Sequence, residues 1–166
     1  MLRDHLERRR VKKIFGKAVE SDVVAHLLDG KVLAPSLTPS DIEFVLVSVR
    51  FETPEQISEM IGRVIEICSR HQAFVDGVSG SVVVAAFGVQ PHATRKPGAA
   101  VDLVAELIGE LRADVKIVHG SGPGFYGCLG SGKSLRFSFV LRGFDSSLAL
   151  LDKTEFGTMQ EFKLSA

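Results

Sequence analysis

The sequence predicts an α/β (α+β) domain, a ferredoxin-like sandwich of helices on a mostly antiparallel sheet, preceded by an N-terminal helical extension. Three observations lead there. Short runs rich in Val, Ile, Leu and Phe are bounded by glycines, two separate segments carry apolar residues at helical spacing, and the segments follow the order strand, helix, hairpin, helix, strand, hairpin, helix.

Residues 1–28 read as two short helices, with Leu2, Leu6, Ile14, Phe15, Val23, Val24, Leu27 and Leu28 at roughly helical spacing and Gly16 as an interruption. The basic group Arg8, Arg9, Arg10, Lys12 and Lys13 sits beside Asp4 and Glu7, the pattern of a solvated helix face. Residues 30–40, with Pro35 and Pro39, read as a linker, so the expected division is 1–40 for helices and linker and 41–166 for the main domain. Residues 42–50 have hardly a polar break, as a strand buried on both faces would. Thr53, Pro54 and Gln56 spell a capping box, and Ile57, Met60, Ile61, Val64, Ile65 and Cys68 form the apolar face of a helix ending near His71. Residues 73–78 and 81–87 are two strand-like runs around Ser79 and Gly80, hence a hairpin. A loop over 90–98 precedes a helix marked by Val101, Val104, Leu107, Ile108 and Leu111. Residues 115–119 read as a strand, and the glycine-rich stretch 120–124 leads into a second hairpin formed by 125–129 and 135–141, followed by a short helix over 145–152.

Composition narrows the function classes. The 166 residues suit one domain plus an extension, and 20 Lys+Arg against 20 Asp+Glu leave no net field to draw nucleic acid or an anionic membrane. Cys68 and Cys128 are too few and too far apart for a disulfide framework or a zinc site. The charged first residues are unlike a signal peptide, so a reducing, cytoplasmic setting is expected. No apolar run is long enough for a membrane span, although a membrane-anchored parent protein stays open.

Several collinear motifs carry a family resemblance. The stretch GSVVVAAFG at 80–88 resembles the Gly-Asp-Gly-Val-Met-Ala-Val-Phe-Gly segment of class III adenylate and guanylate cyclases, without a gap. FVLVS at 44–48 is similar to the strand that ends in that family's first metal-binding Asp, and the helix followed by Ala73-Phe74-Val75-Asp76 resembles its entry into the hairpin. Residues 115–120 and then Gly127-Cys128-Leu129-Gly130-Ser131 resemble Ile-Gly-Ile-His-Thr-Gly and Gly-Asn-Val-Gly-Ser, with 139–151 in the place of the run that ends in a catalytic Arg. IFGKAVESDVVAHLL at 14–28 is similar to the segment that often precedes such domains.

The resemblance implies a fold of the class III nucleotidyl cyclase type and a chemistry this chain lacks. Such cyclases hold a nucleoside triphosphate between two protomers and bind two divalent cations through two Asp residues, which neutralise phosphate and activate the 3′-hydroxyl. Those positions correspond here to Ser48 and Ser81, and hydroxyls are poor ligands for hard cations. The base-reading positions map to Gly77 and Ser138, the ribose-orienting Asn to Ser147, and the Arg that stabilises the transition state to Leu151. The expectation is therefore no catalytic residue, no metal and no cofactor, in a homodimeric signal-transduction module with further signalling domains as partners.

Other signals have plainer readings. Gly127, Gly132, Lys133 and Ser134 match a P-loop pattern, but a strand-like run follows where a phosphate-binding helix is required, so chance is favoured. The remaining alternatives are a small-molecule or nucleotide sensor using the vacated cleft, with Gly77, Ser81, Gly122, Gly124 and Lys133 as candidate ligand or anion contacts, and, least favoured, a residual nucleotide cyclase. His119 and Cys128 on neighbouring strands, with Asp145 or Asp152, would make a weak catalytic set, and Asp76 reads as a surface strand residue.

Overall fold

The computed structural model describes residues 37–89, 96–129 and 136–163. The helices expected over 1–28, the linker before residue 37, most of the 90–98 loop and Lys133 lie outside the described residues.

The sheet is built around β1 (Leu37–Val49), which pairs antiparallel with β3 (Val82–Phe87) on one side and β4 (Val115–Leu129) on the other. With β2 (Phe74–Ser79) and β5 (Arg136–Leu141) the order is β2-β3-β1-β4-β5, and β6 (Met159–Lys163) pairs parallel with β4. β1 starts before the expected Ile42. Leu37 to Ser40, read as linker, pair with β4, and Pro39 is tolerated because β3 joins β1 only from Glu43 onward, leaving that end at a sheet edge.

Helix α1 (Pro54–Arg70) follows its local code. Thr53 Oγ1 accepts from the Gln56 amide at 3.3 Å and Gln56 Oε1 accepts from the Thr53 amide at 3.2 Å, so both limbs of the capping box form. Helix α2 (Ala99–Leu111) has no such cap, because Gly98 has no side chain and is left-handed at φ 80°. Glu43 of β1 supplies the missing acceptor: its carboxylate receives the Ala100 amide at 3.1 Å and, more weakly, the Gly98 amide at 3.4 Å. Helix α3 (Phe144–Lys153) also begins at a left-handed glycine, Gly143.

Alternation along β1 sorts the core into two layers. Val45, Val47 and Val49 pack with Val64, Ile67, Leu103 and Leu107 beneath α1 and α2. Ile42, Phe44 and Leu46 point the other way and pack with Leu151 of α3 and with Phe74, Phe137 and Leu141. Both faces of β1 are covered, which is why its sequence is apolar without interruption.

Two expectations are corrected. The glycine-rich stretch 120–124 is no break but the middle of one continuous strand, β4. A Cβ at Gly120 would lie 2.5 Å from the Phe162 carbonyl oxygen, and one at Gly124 2.6 Å from that of Val140 and 2.8 Å from Ile42 Cδ1, so glycine lets strands and core close around β4. The strand β6 was not anticipated, since MQEFK carries little strand signal. Its ladder with β4 and the Phe162 ring, 6.3 Å from Phe44, hold it in place.

Candidate functional site

Ser48 lies near the end of β1 and Ser81 just before β3, 33 residues apart in sequence. The tight turn at Gly80 and the antiparallel β1–β3 ladder bring them together, with their Oγ atoms hydrogen-bonded at 3.3 Å. Ser48 is buried, at 5% exposure, and Val49 donates its amide to the Ser81 carbonyl at 3.0 Å. Two neutral oxygens that satisfy one another offer a divalent cation none of the charge it needs to give up its water.

Across the other ladder Ser48 faces Lys116. The Lys116 ammonium donates to the Asp152 carbonyl at 3.3 Å and lies 5.4 Å from the centre of the Phe156 ring, over which the Arg50 guanidinium sits at 4.6 Å. Two cations thus gather at the Phe156 ring, beyond the end of β1 that carries Ser48. Nothing in the local sequence marks this group, because the α3–β6 connection alone delivers Phe156. An open groove of about 270 Å³, lined by Arg50, Glu52, Glu59 and Asp114 among others, includes neither serine.

The other predicted positions are scattered, and most of them are buried. Ser147 is fully buried and its hydroxyl donates to the Phe144 carbonyl at 2.6 Å within its own helix. Leu151 is in the core beneath α3. Ser138 is buried on β5 opposite Gly127, and Gly122 and Gly124 pair with Ile42 and Ser40 inside the sheet. Gly77 adjoins the Arg136 guanidinium, which would lie 3.0 Å from a Cβ there.

His119 and Cys128 are not on neighbouring strands. Both belong to β4, nine residues apart and therefore about 30 Å along an extended chain. Burial pushes the His119 pKa down, against the pull of Glu161 and Glu43, and pushes the Cys128 thiol up. Cys68 is pushed up to about 12 by the same cause, so neither thiol is a ready nucleophile. Asp76 is also corrected: its side chain is only 18% exposed, and it is paired with Arg136 of β5.

No family model and no curated protein matches this chain. Solved structures do. The adenylyl cyclase CyaB from P. aeruginosa superposes with a TM-score of 0.66 at 12% identity, over 76% of this chain and 78% of that one. A bacterial light-regulated adenylyl cyclase gives 0.65 at 15% identity, covering 91% of this chain and 50% of its own. The dimeric guanylyl cyclase domain, of non-standard arrangement, from the RhoGC fusion protein of the aquatic fungus Blastocladiella emersonii gives 0.59 at 11% identity, over 76% and 80%. The fold is that of adenylyl and guanylyl cyclase catalytic domains, as the strand order and the sequence motifs implied.

Proposed function

We propose that this chain is a catalytically degenerate cyclase-homology domain that forms a homodimer and works as a regulatory or signal-transduction module. The carrying observation is the Ser48–Ser81 pair. The positions that resemble the family's two cation ligands come within hydrogen-bond distance, which supports reading them as that site with its charge gone. The inward placement of Ser147 and Leu151 supports the same reading, since neither offers a group to ribose or phosphate. The dimeric RhoGC domain supports a homodimer, and the light-regulated cyclase supports coupling to a sensor. Among the described residues, no helix is long and apolar enough to cross a membrane.

The test is an assay for cyclic nucleotide formation from ATP and GTP with magnesium or manganese, alone and mixed with a competent cyclase subunit. Alone, no turnover above a denatured control is expected, and in the mixture none above that of the competent subunit with denatured chain added; an excess in either arrangement would refute the reading. Light scattering at high concentration checks the homodimer, which a persistent monomer would contradict.

A second reading, a sensor of nucleotides or other anions in the vacated cleft, is favoured by Lys116, paired across the ladder from Ser48, and by Arg50 just past the end of β1. There a phosphate would meet positive charge with no metal between. Thermal shift with ATP in the absence of divalent cations separates the two, because a ligand that binds only the folded state raises the melting temperature.

A further inference from the structure

β2 and β5 stand at opposite ends of the five-strand order, and each is hydrogen-bonded to a single neighbour, β3 and β4 respectively. Their side chains nevertheless meet. The Phe74 and Phe137 rings pack edge to face at 5.4 Å, and the Arg136 guanidinium donates to the Asp76 carbonyl at 2.6 Å and to its Oδ2 at 3.3 Å. The sheet must curl for this, bringing its edges together over the face that carries Phe44.

The local sequence is cut to allow the contact. The β2–β3 register shifts between Val75 and Gly77, so Asp76 falls in a bulge and its carbonyl is turned out of the ladder toward the guanidinium. Gly77 leaves the space into which Arg136 reaches. The closure is also incomplete: Asp76 Oδ1 is buried with no hydrogen-bond partner, an unmet demand that opening to water would relieve. The Arg136–Asp76 ion pair, the hydrogen bond to the Asp76 carbonyl and the burial of the Phe74 and Phe137 rings favour the closed state, and a stranded carboxylate oxygen opposes it.

We infer that Arg136, Asp76, Phe74 and Phe137 form a latch that joins the two hairpins across the aromatic face, and that the latch opens and closes while the rest of the sheet stays folded. Opening breaks no hydrogen bond inside any strand ladder. It uncovers the rings beneath, where Tyr126 lies 6.2 Å from Phe137 and Phe139 lies 5.8 Å from Phe144. The device goes beyond the regulatory reading above and does not depend on it, since it concerns the motion of the fold whatever the cleft does.

The chain has one tyrosine and no tryptophan, so Tyr126 emission reports on the latch without a label. Two variants open it to different depths: Arg136→Ala removes the whole side chain, and Arg136→Gln removes only the guanidinium. Both are expected to raise acrylamide quenching of Tyr126 and to speed amide exchange in β2 and β5 by up to roughly tenfold, with β1 and α2 unchanged. Glu106→Ala, on the opposite face, should leave both readouts as in the parent. Unchanged quenching and exchange in both latch variants would overturn the inference, and so would faster exchange spread evenly over all strands. If Arg136→Ala does not fold, Arg136→Gln alone decides between these outcomes.

Discussion

Restoring the charge at the serine pair is the sharpest test of what the site has lost. In Ser48→Asp/Ser81→Asp two carboxylates replace hydroxyls whose oxygens are 3.3 Å apart. Taking about 4 Å between charges and an effective dielectric of about 20, their repulsion is about 4 kcal/mol, and the burial of Ser48 adds a desolvation cost while the partial exposure of Ser81 gives some back. A loss of about 3–4 kcal/mol at neutral pH without metal is expected, or roughly 10 °C in melting temperature. Millimolar manganese should return much of it, since a ligand at about 100 times its Kd contributes about 2.7 kcal/mol.

The pH dependence has a definite sign. Burial and the like charge raise the folded pKa of one carboxylate above its unfolded value, so the folded state binds the extra proton. Stability of the metal-free variant therefore falls as pH rises from the unfolded carboxylate value through the raised one. Thermal melts across pH, with and without manganese, read both effects, and Ser48→Asn/Ser81→Asn serves as the uncharged control. A double-Asp variant that ignores manganese, or that is as stable as the double-Asn variant at neutral pH, would show that these positions do not converge as the structure has them.

Glu43→Ala should cost about 2 kcal/mol in urea denaturation, since α2 then loses its acceptor at a partly buried N-terminus, whereas Glu43→Gln should cost less because an amide oxygen still accepts. Gly120→Ala and Gly124→Ala should each destabilise by roughly 1–3 kcal/mol, because backbone carbonyls and core atoms that cannot yield stand where the methyl would go. Near-neutral melts for these two would show that the strands and core are not closed around β4 as tightly as the structure has them. The Glu106 carboxyl is held below the usual carboxylate range by hydrogen bonds from Arg70 and then His71. Its contribution is therefore present above the unfolded value and fades as pH falls through the lowered one. Glu106→Gln should flatten that acid limb, and the difference should shrink in high salt because the groups are exposed.

What could be read directly from the chain was the information stored within a few residues. The capping box at Thr53, Pro54 and Gln56 set the start of α1, and the unbroken apolar run of β1 announced a strand covered on both faces. The collinear motifs pointed to the serines as a pair, which no local rule could have done. Tertiary structure decided what depends on neighbours distant in sequence. Glycines 120 and 124 read as a break because, alone, glycine weakens a strand, yet crowding by Phe162, Val140 and Ile42 makes them necessary to one. Gly98 left α2 without a local cap until Glu43 arrived from β1. The glycine-rich stretch between His119 and Cys128 suggests two neighbouring strands, whereas a single strand runs through both. Asp76 could not be distinguished from a surface residue, since its partner arrives from the opposite edge of the sheet. Hydrogen bonds and apolar periodicity along the chain specify elements; only the closing of the sheet specifies which side chains meet.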